Sequence, residues 1–269
     1  MLTLSHVTKQ YTVGNSTVEA IRDIGFTVAD GEFICIVGPS GAGKTTLLRC
    51  MCGLLRCTSG SIRLNGTEVC GPPRQLACVF QEYSRSLMPW LTVEHNVGLP
   101  LKNKVPSRAE RGRRVRSALA QVGLDGFGKR YPWQLSGGMQ QRVAIARALA
   151  YEPEILLLDE PFASVDAQTR ADLEDLVLRV HVTSGITMVL VTHDIDEAVY
   201  LADRVVALSA RPSTVLETID VPLPRPRDQI ATKADPRFAE LRTQVLGLIR
   251  RPDTAPGADA DLHPVGGAK

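Results

Sequence analysis

Residues 38–45 read Gly-Pro-Ser-Gly-Ala-Gly-Lys-Thr, and they restrict the fold of this chain more than any other stretch. The spacing G-x-x-x-x-G-K-T is that of a phosphate-binding loop. An apolar run, Phe33-Ile34-Cys35-Ile36-Val37, precedes it and predicts a buried strand. Thr46-Leu47-Leu48-Arg49-Cys50-Met51 follows and predicts a helix. The strand-loop-helix setting lets the glycines wrap the backbone closely, so that successive N–H groups point at phosphate oxygens. The helix start adds its positive dipole end. Lys44 is expected to reach the β- and γ-phosphates, and the Thr45 hydroxyl to ligate Mg²⁺. The chain is therefore expected to bind a nucleotide.

The 269 residues suffice for one large or two small domains. A 44% hydrophobic and 22% charged composition fits a globular protein. The longest apolar runs, such as Ile155-Leu156-Leu157-Leu158, fall far short of the ~20 residues that a membrane span needs. No N-terminal apolar stretch resembles a secretion signal, so the chain is expected to stay in the cytoplasm. A net charge of +2 is too small to argue for nucleic acid. Of the six cysteines, Cys50 and Cys52 sit two apart on a predicted helix and face different ways, which argues against a shared metal. All six, including Cys35, Cys57, Cys70 and Cys78, are expected to be reduced and mostly packing.

Along the chain, residues 2–7 alternate like an exposed edge strand, and Tyr11 follows in a polar loop. Residues 24–28 continue the strand pattern, with Asp30-Gly31 as a turn. Residues 58–60 mark another turn. Ile62-Arg63-Leu64 is a short strand closed by Asn65-Gly66, a type I′ hairpin signal. Residues 76–80 predict a strand ending at Gln81. From residue 82 to about 150 the pattern turns helical and basic. Residues 107–122 are amphipathic, with Val115, Ala118, Leu119 and Val122 on one face. Arg108, Arg111, Arg113, Arg114 and Arg116 load the rest; a solvated face is favoured over a nucleic-acid or phospholipid patch, because no aromatic residues are interleaved. Strand and helix then alternate: 155–158 strand, 167–182 helix, 187–192 strand, Asp194 opening a helix with Glu197 as a capping-box-like partner, and 204–208 a final strand. Such alternation implies an α/β fold with a mostly parallel sheet, and the stretch 82–150 reads as a helical insertion. Prolines 222, 224 and 226 break the tail. Residues 237–250 form an amphipathic helix carrying Phe238, Leu241, Val245, Leu248 and Ile249, and the Pro- and Gly-rich residues after Arg251 are expected to be disordered.

Two further stretches carry chemistry. The strand 155–158 ends in Asp159-Glu160, which places two carboxylates at the carboxyl end of the sheet beside the phosphate loop. Asp159 is expected to hold Mg²⁺ through its shell, and Glu160 to accept a proton from the water attacking the γ-phosphate. Leu135-Ser136-Gly137-Gly138-Met139-Gln140-Gln141-Arg142 offers a second anion-binding helix start, with Ser136 as N-cap. A head-to-tail pair of chains would let one copy's loop and the other's helix start hold the same γ-phosphate.

With these motifs in order, residues 2–220 resemble an ATP-binding cassette (ABC) ATPase, the nucleotide-binding subunit of an ABC transporter. The resemblance implies a P-loop NTPase, RecA-like core (1–81 and 153–220) with a parallel sheet, an antiparallel β edge region and a helical subdomain (82–152). The tail is 221–269. Gly38, Pro39, Ser40, Gly41, Ala42, Gly43, Lys44 and Thr45 resemble Walker A and, with Thr46, would bind ATP. Gln81 resembles the Q-loop glutamine, a partner for Mg²⁺ or the attacking water. Ser136, Gly137, Gly138 and Gln140 resemble the signature motif acting in trans, with Met139 where the general pattern has Gln. Residues 155–160 resemble Walker B with the catalytic Glu160. Asp166 falls at the D-loop, although Val165 stands where Leu is usual. His193 resembles the switch histidine, and Tyr11 the aromatic that stacks on adenine.

Val79-Phe80-Gln81-Glu82-Tyr83, Leu87-Met88-Pro89-Trp90-Leu91-Thr92-Val93 and Val221-Pro222-Leu223-Pro224-Arg225-Pro226-Arg227 resemble importers of nitrate, sulfonates and taurine. That branch implies a second copy of the chain, two transmembrane permease subunits and, indirectly, an extracytoplasmic solute-binding protein. It places the chain peripherally on the cytoplasmic face of the plasma membrane. Exposed Met88 and Trp90 would meet a permease coupling helix; for Trp90 the alternative is a place in the core of the insertion. A soluble ABC ATPase acting on nucleic acid or ribosomes is the other functional reading, disfavoured by the single cassette and the lack of a heptad array.

Overall fold

The computed structural model describes residues 1–14, 16–82 and 86–250. The expectations for Tyr83 and for residues after Arg251 lie outside the described residues. The chain opens on two long antiparallel strands, β1 (Leu2–Val13) and β2 (Ser16–Val28), followed by β3 (Phe33–Val37) and α1 (Lys44–Met51). A hairpin of β4 (Ser59–Leu64) and β5 (Thr67–Glu68) and then β6 (Leu76–Val79) complete the first stretch. Helices α2 (Val93–Gly98), α3 (Arg108–Gln121) and α4 (Gly137–Ala150) make the insertion. The alternation resumes with β7 (Ile155–Asp159), α5 (Ala167–Ser184), β8 (Thr187–Thr192), α6 (Ile195–Leu201) and β9 (Arg204–Leu208). β10 (Val215–Asp220), α7 (Ala231–Ala234) and α8 (Pro236–Arg250) close it.

The strands form two sheets, ordered β2-β1-β4-β5 and β10-β9-β3-β8-β7-β6. The first is antiparallel; the second is parallel throughout except for β10. β3, β7 and β8 are buried at every residue, which explains why they are unbroken apolar runs rather than alternating ones. Their alternate residues divide the core in two. Ile34, Ile36, Leu157, Val189 and Val191 pack with α1 and the antiparallel sheet. Phe33, Cys35, Leu156, Leu158 and Leu190 pack with α4, α5, α6 and α8. Burying one such Leu or Ile side chain contributes roughly 1.5–3 kcal/mol. These positions fix the sheet's register, since a slip of one residue would exchange the two faces.

Several expectations are corrected. β1 is not an edge strand: it pairs with β2 on one side and β4 on the other. Tyr11 lies within β1, opposite Val18, not in a loop. Ser59 and Gly60 already belong to β4. A strand follows residue 208, because β10 folds back antiparallel on β9. Glu197 does not close a capping box: Asp194 caps α6 by accepting from the Asp196 and Glu197 amides, while the Glu197 carboxylate takes the Thr192 hydroxyl at 2.6 Å. The Asn65-Gly66 turn is as expected, with φ of 49° and 81° joining Leu64 to its partner Thr67.

On α3, Arg113 and Arg114 both pair with Glu110, Arg114 also meets Glu152 at 2.8 Å, and Arg111 donates to the Val105 carbonyl at 2.7 Å. These bonds satisfy much of the cluster within the chain and fit the solvated-face reading. All six cysteines are free thiols; Cys70 is exposed and does not pack. No helix among the described residues is long and apolar enough to cross a membrane.

Candidate functional site

β3 delivers the phosphate loop at its carboxyl end, and α1 starts at Lys44 with Gly43 as its N-cap. Gly43 has a φ of 81°, and a Cβ there would stand 3.0 Å from the Ala20 carbonyl oxygen, so both backbone conformation and space demand glycine. No side chain caps α1, and its first amides stay available. The Lys44 ammonium folds back on the loop, donating to the Gly38 carbonyl at 2.8 Å and the Pro39 carbonyl at 3.0 Å. Burial pulls its pKa below the usual lysine value, against the attraction of Glu160 and Asp159.

β7 brings the two carboxylates to the same end of the sheet. Asp159 is 3% exposed and accepts the Thr45 hydroxyl at 3.2 Å. Burial raises its pKa; the Thr45 bond opposes this, and the neighbouring Glu160 charge adds to it. Glu160 sits at φ 42°, a strained conformation for a residue with a Cβ, and its amide donates to the Val191 carbonyl at 2.8 Å. Its Oε2 atom is the meeting point of two side chains: Gln81 Nε2 at 3.2 Å, from just beyond β6, and His193 Nδ1 at 3.1 Å, from just beyond β8. Three separate segments thus converge on one carboxylate oxygen.

Tyr11, Ser40, Gly41, Ala42, Gly43, Lys44, Thr45, Thr46, Gln81 and Glu160 border one cleft of about 370 Å³. The Tyr11 hydroxyl lies 3.3 Å from Thr46 Oγ1. Ala20 and Arg211 border the same cleft and were not anticipated. Ser213 was also missed. It is fully buried, and its hydroxyl binds the carbonyls of Ala42 in the loop and of Ala20 at 3.2 Å. No motif marks these residues: Ser209 to Thr214 spell an ordinary polar turn.

Ser136, Gly137, Gly138, Gln140 and Asp166 are not among the residues bordering this cleft. Ser136 caps α4, accepting the Met139 amide at 3.3 Å. A Cβ on Gly138 would overlap the Thr169 methyl group, so α4 and α5 meet closely there. Gln140 turns inward, donating to the carbonyls of Pro132 at 3.0 Å and Leu135 at 3.2 Å; it braces the turn before α4. Asp166 caps α5 through the Thr169 amide at 3.0 Å and hydroxyl at 2.7 Å, bonds that lower its pKa. Ser136 and Gly137 are left exposed at the helix start. Trp90 is 71% exposed, which removes the core reading for it, whereas Met88 is half-buried rather than exposed.

The ABC transporter family model matches residues 21–163. The aliphatic sulfonates import ATP-binding protein SsuB of Bacillus licheniformis is 45% identical over 246 residues, 91% of this chain and 93% of that one. The nitrate import ATP-binding protein NrtD of Synechococcus elongatus is 44% identical over 235 residues, 86% and 85% of the two chains. Among solved structures, the dimeric ATP-binding cassette MJ0796 in a post-hydrolysis state with ADP and Pi is similar with a TM-score of 0.73 at 34% identity, covering 82% of this chain and 99% of that one. CbiO1 from Clostridium perfringens, part of the cbiONQ complex, matches with a TM-score of 0.73 at 27% identity over 82% and 88%. A phosphate loop, a helical insertion and a strand ending in paired carboxylates in this order, with likenesses of this extent, mean that the chain belongs to the ABC transporter family and carries its ATPase fold.

Proposed function

We propose that this chain is the ATP-hydrolysing subunit of an importer, that two copies close head to tail on ATP, and that the cycle drives uptake of a small anion of the sulfonate or nitrate type. The observation that carries the hydrolytic part is the Glu160 carboxylate gripped by Gln81 and His193 at the mouth of the phosphate-loop cleft. The solute class rests on the likeness to SsuB and NrtD.

The loop amides and Lys44 bind the phosphates; Lys44 would exchange its two loop carbonyls for phosphate oxygens. Glu160 is the general base. Gln81 and His193 both hold Oε2, and Oε1 is the oxygen left to take the proton of the attacking water. The Thr45 hydroxyl, the Asp159 carboxylate and the Gln81 amide oxygen are hard donors of the kind Mg²⁺ prefers. The strain on the Asp159 charge, buried beside Glu160, suits a cation at that point. When bound, Mg²⁺ supplies charge neutralisation to the phosphate oxygens.

Ser136 and Gly137, exposed and away from the chain's own cleft, would complete the site of the second copy. Exposed Trp90 would meet one of two permease subunits, with a solute-binding protein engaged on the far side of the membrane. That arrangement puts the chain on the cytoplasmic face as a peripheral subunit, with residues 82–152 as the arm between engine and permease. Glu160→Gln tests the base: the variant should bind ATP normally and hydrolyse it about 10²-fold more slowly or worse. Turnover near that of the parent would remove Glu160 from the role.

A further inference from the structure

We infer that Arg211 is a nucleotide contact at the α-phosphate and ribose end of the cleft, presented there by the turn between β9 and β10. This rests on the nucleotide reading of the cleft and adds a residue that no motif in the chain predicts.

Arg211 borders the cleft together with Tyr11 and Ala20. Its Nε donates to the Glu19 carbonyl at 3.4 Å. Glu19 stands across from Gln10, one residue from Tyr11 on β1, so Arg211 is anchored at the Tyr11 end of the cleft. Lys44 and Gln81, which also border the cleft, gather about the Glu160 carboxylate, where the transferred phosphoryl group belongs on the nucleotide reading. The carboxylate of Glu19 itself is already engaged: it takes Arg22 Nε at 2.6 Å and Gln10 Nε2 at 3.3 Å. Arg211 makes no ion pair with any acid among the described residues. With Nε on a carbonyl, the guanidinium keeps four N–H donors for an anion.

The turn that carries Arg211 is fixed to the loop it would serve. Two residues on, Ser213 ties the Ala42 carbonyl to the Ala20 carbonyl through one hydroxyl. Its own amide bonds Ala20 at 3.2 Å, and its carbonyl accepts the Arg22 amide at 2.9 Å. Ser209 closes the turn on the Ala210 carbonyl at 2.9 Å. Arg211 thus stands on a support that shares its attachments with the phosphate loop. A planar guanidinium so placed matches phosphate oxygens bidentately.

ATP and ADP share the α-phosphate and ribose, so the contact serves both equally. The test is titration calorimetry of full-length chains in a Glu160→Gln background, which prevents ATP from being consumed. Arg211→Ala should weaken ATP and ADP by the same factor, about 3- to 10-fold, with Arg211→Lys in between because it keeps the charge and loses the fork. Unchanged affinities would overturn the inference. So would a loss confined to ATP, which would move Arg211 to the γ-phosphate end. Should the alanine variant unfold, Arg211→Gln repeats the measurement with the side-chain stem retained. Lys44→Ala in the same background separates the two levels: if it binds nucleotide like its parent, the cleft reading itself fails, whatever Arg211 does.

Discussion

Glu197 is 4% exposed, and its pKa is pushed up to about 7. Burial is the main cause; Asp194 and Glu174 add to it, while the Thr192 hydroxyl and Arg170 oppose it. The folded chain therefore holds a proton on Glu197 between the unfolded value of 4.5 and about 7, where the unfolded chain has released it. This contribution is fully present below pH 4.5 and is lost as pH rises through about 7. The total is on the order of 3 kcal/mol. Glu197→Gln keeps an acceptor for the Thr192 hydroxyl without titrating. Urea melts of both proteins between pH 4.5 and 7.5 should show the parent losing stability with pH more steeply than the variant. Parallel curves would mean that Glu197 is ionised in the fold throughout. The site itself was legible at this scale, since Lys44, Thr45, Asp159, Glu160, Gln81 and His193 are read from motifs and meet as side chains. What no motif encodes is the role of an amide such as Gln140, whose outward or inward turn depends on the carbonyls of Pro132 and Leu135.

Among the elements, the turn between residue 88 and α2 is braced by the buried Asn96 side chain, while Arg147 holds Ser86 further back through its carbonyl and hydroxyl, both at 2.6 Å. Asn96, fully buried, accepts the Met88 amide at 2.8 Å and donates to the carbonyls of Met88, Leu91 and Thr92 at 3.1–3.2 Å. These bonds shape the turn on which Trp90 stands exposed. Asn96→Ala leaves buried amide and carbonyl groups without partners, at a cost of about 1–3 kcal/mol. Denaturant melts should show that loss, and Trp90 emission in a Trp133→Phe background should change before global unfolding. A single transition with unchanged native emission would mean that other contacts hold the turn. Buried strands β3, β7 and β8 were legible because unbroken apolar runs admit few alternatives. β10 was not, because Val215–Asp220 carries four exposed or half-exposed residues before Ile219 and depends on pairing with β9 rather than on its own pattern. Tyr11 was misplaced for the same reason: Lys9, Gln10 and Thr12 look like loop residues until β2 pairs with them.

The whole molecule separates two halves of one proposed site. The phosphate loop, Glu160, Gln81 and Tyr11 border a shared cleft, and Ser136 and Gly137 are exposed outside it. A two-fold pair of chains would bring each helix start to the partner's cleft and form two composite sites, a closed symmetric arrangement. Complementation tests this directly. Lys44→Ala disables the loop, and Ser136→Arg fills the helix start with a bulky cation; each homodimer then lacks both sites. In a mixed dimer, the loop of the Ser136→Arg copy faces the intact helix start of the Lys44→Ala copy, so one site is whole. Equal mixing of the two inactive proteins should restore ATPase activity, to about a quarter of the parent level if pairing is random and the sites act independently. If each chain used its own Ser136, no mixture would recover any activity, since every site would carry one of the two lesions or depend on a chain already disabled. Recovery in the mixture, absent in either protein alone, can arise only where loop and helix start come from different copies.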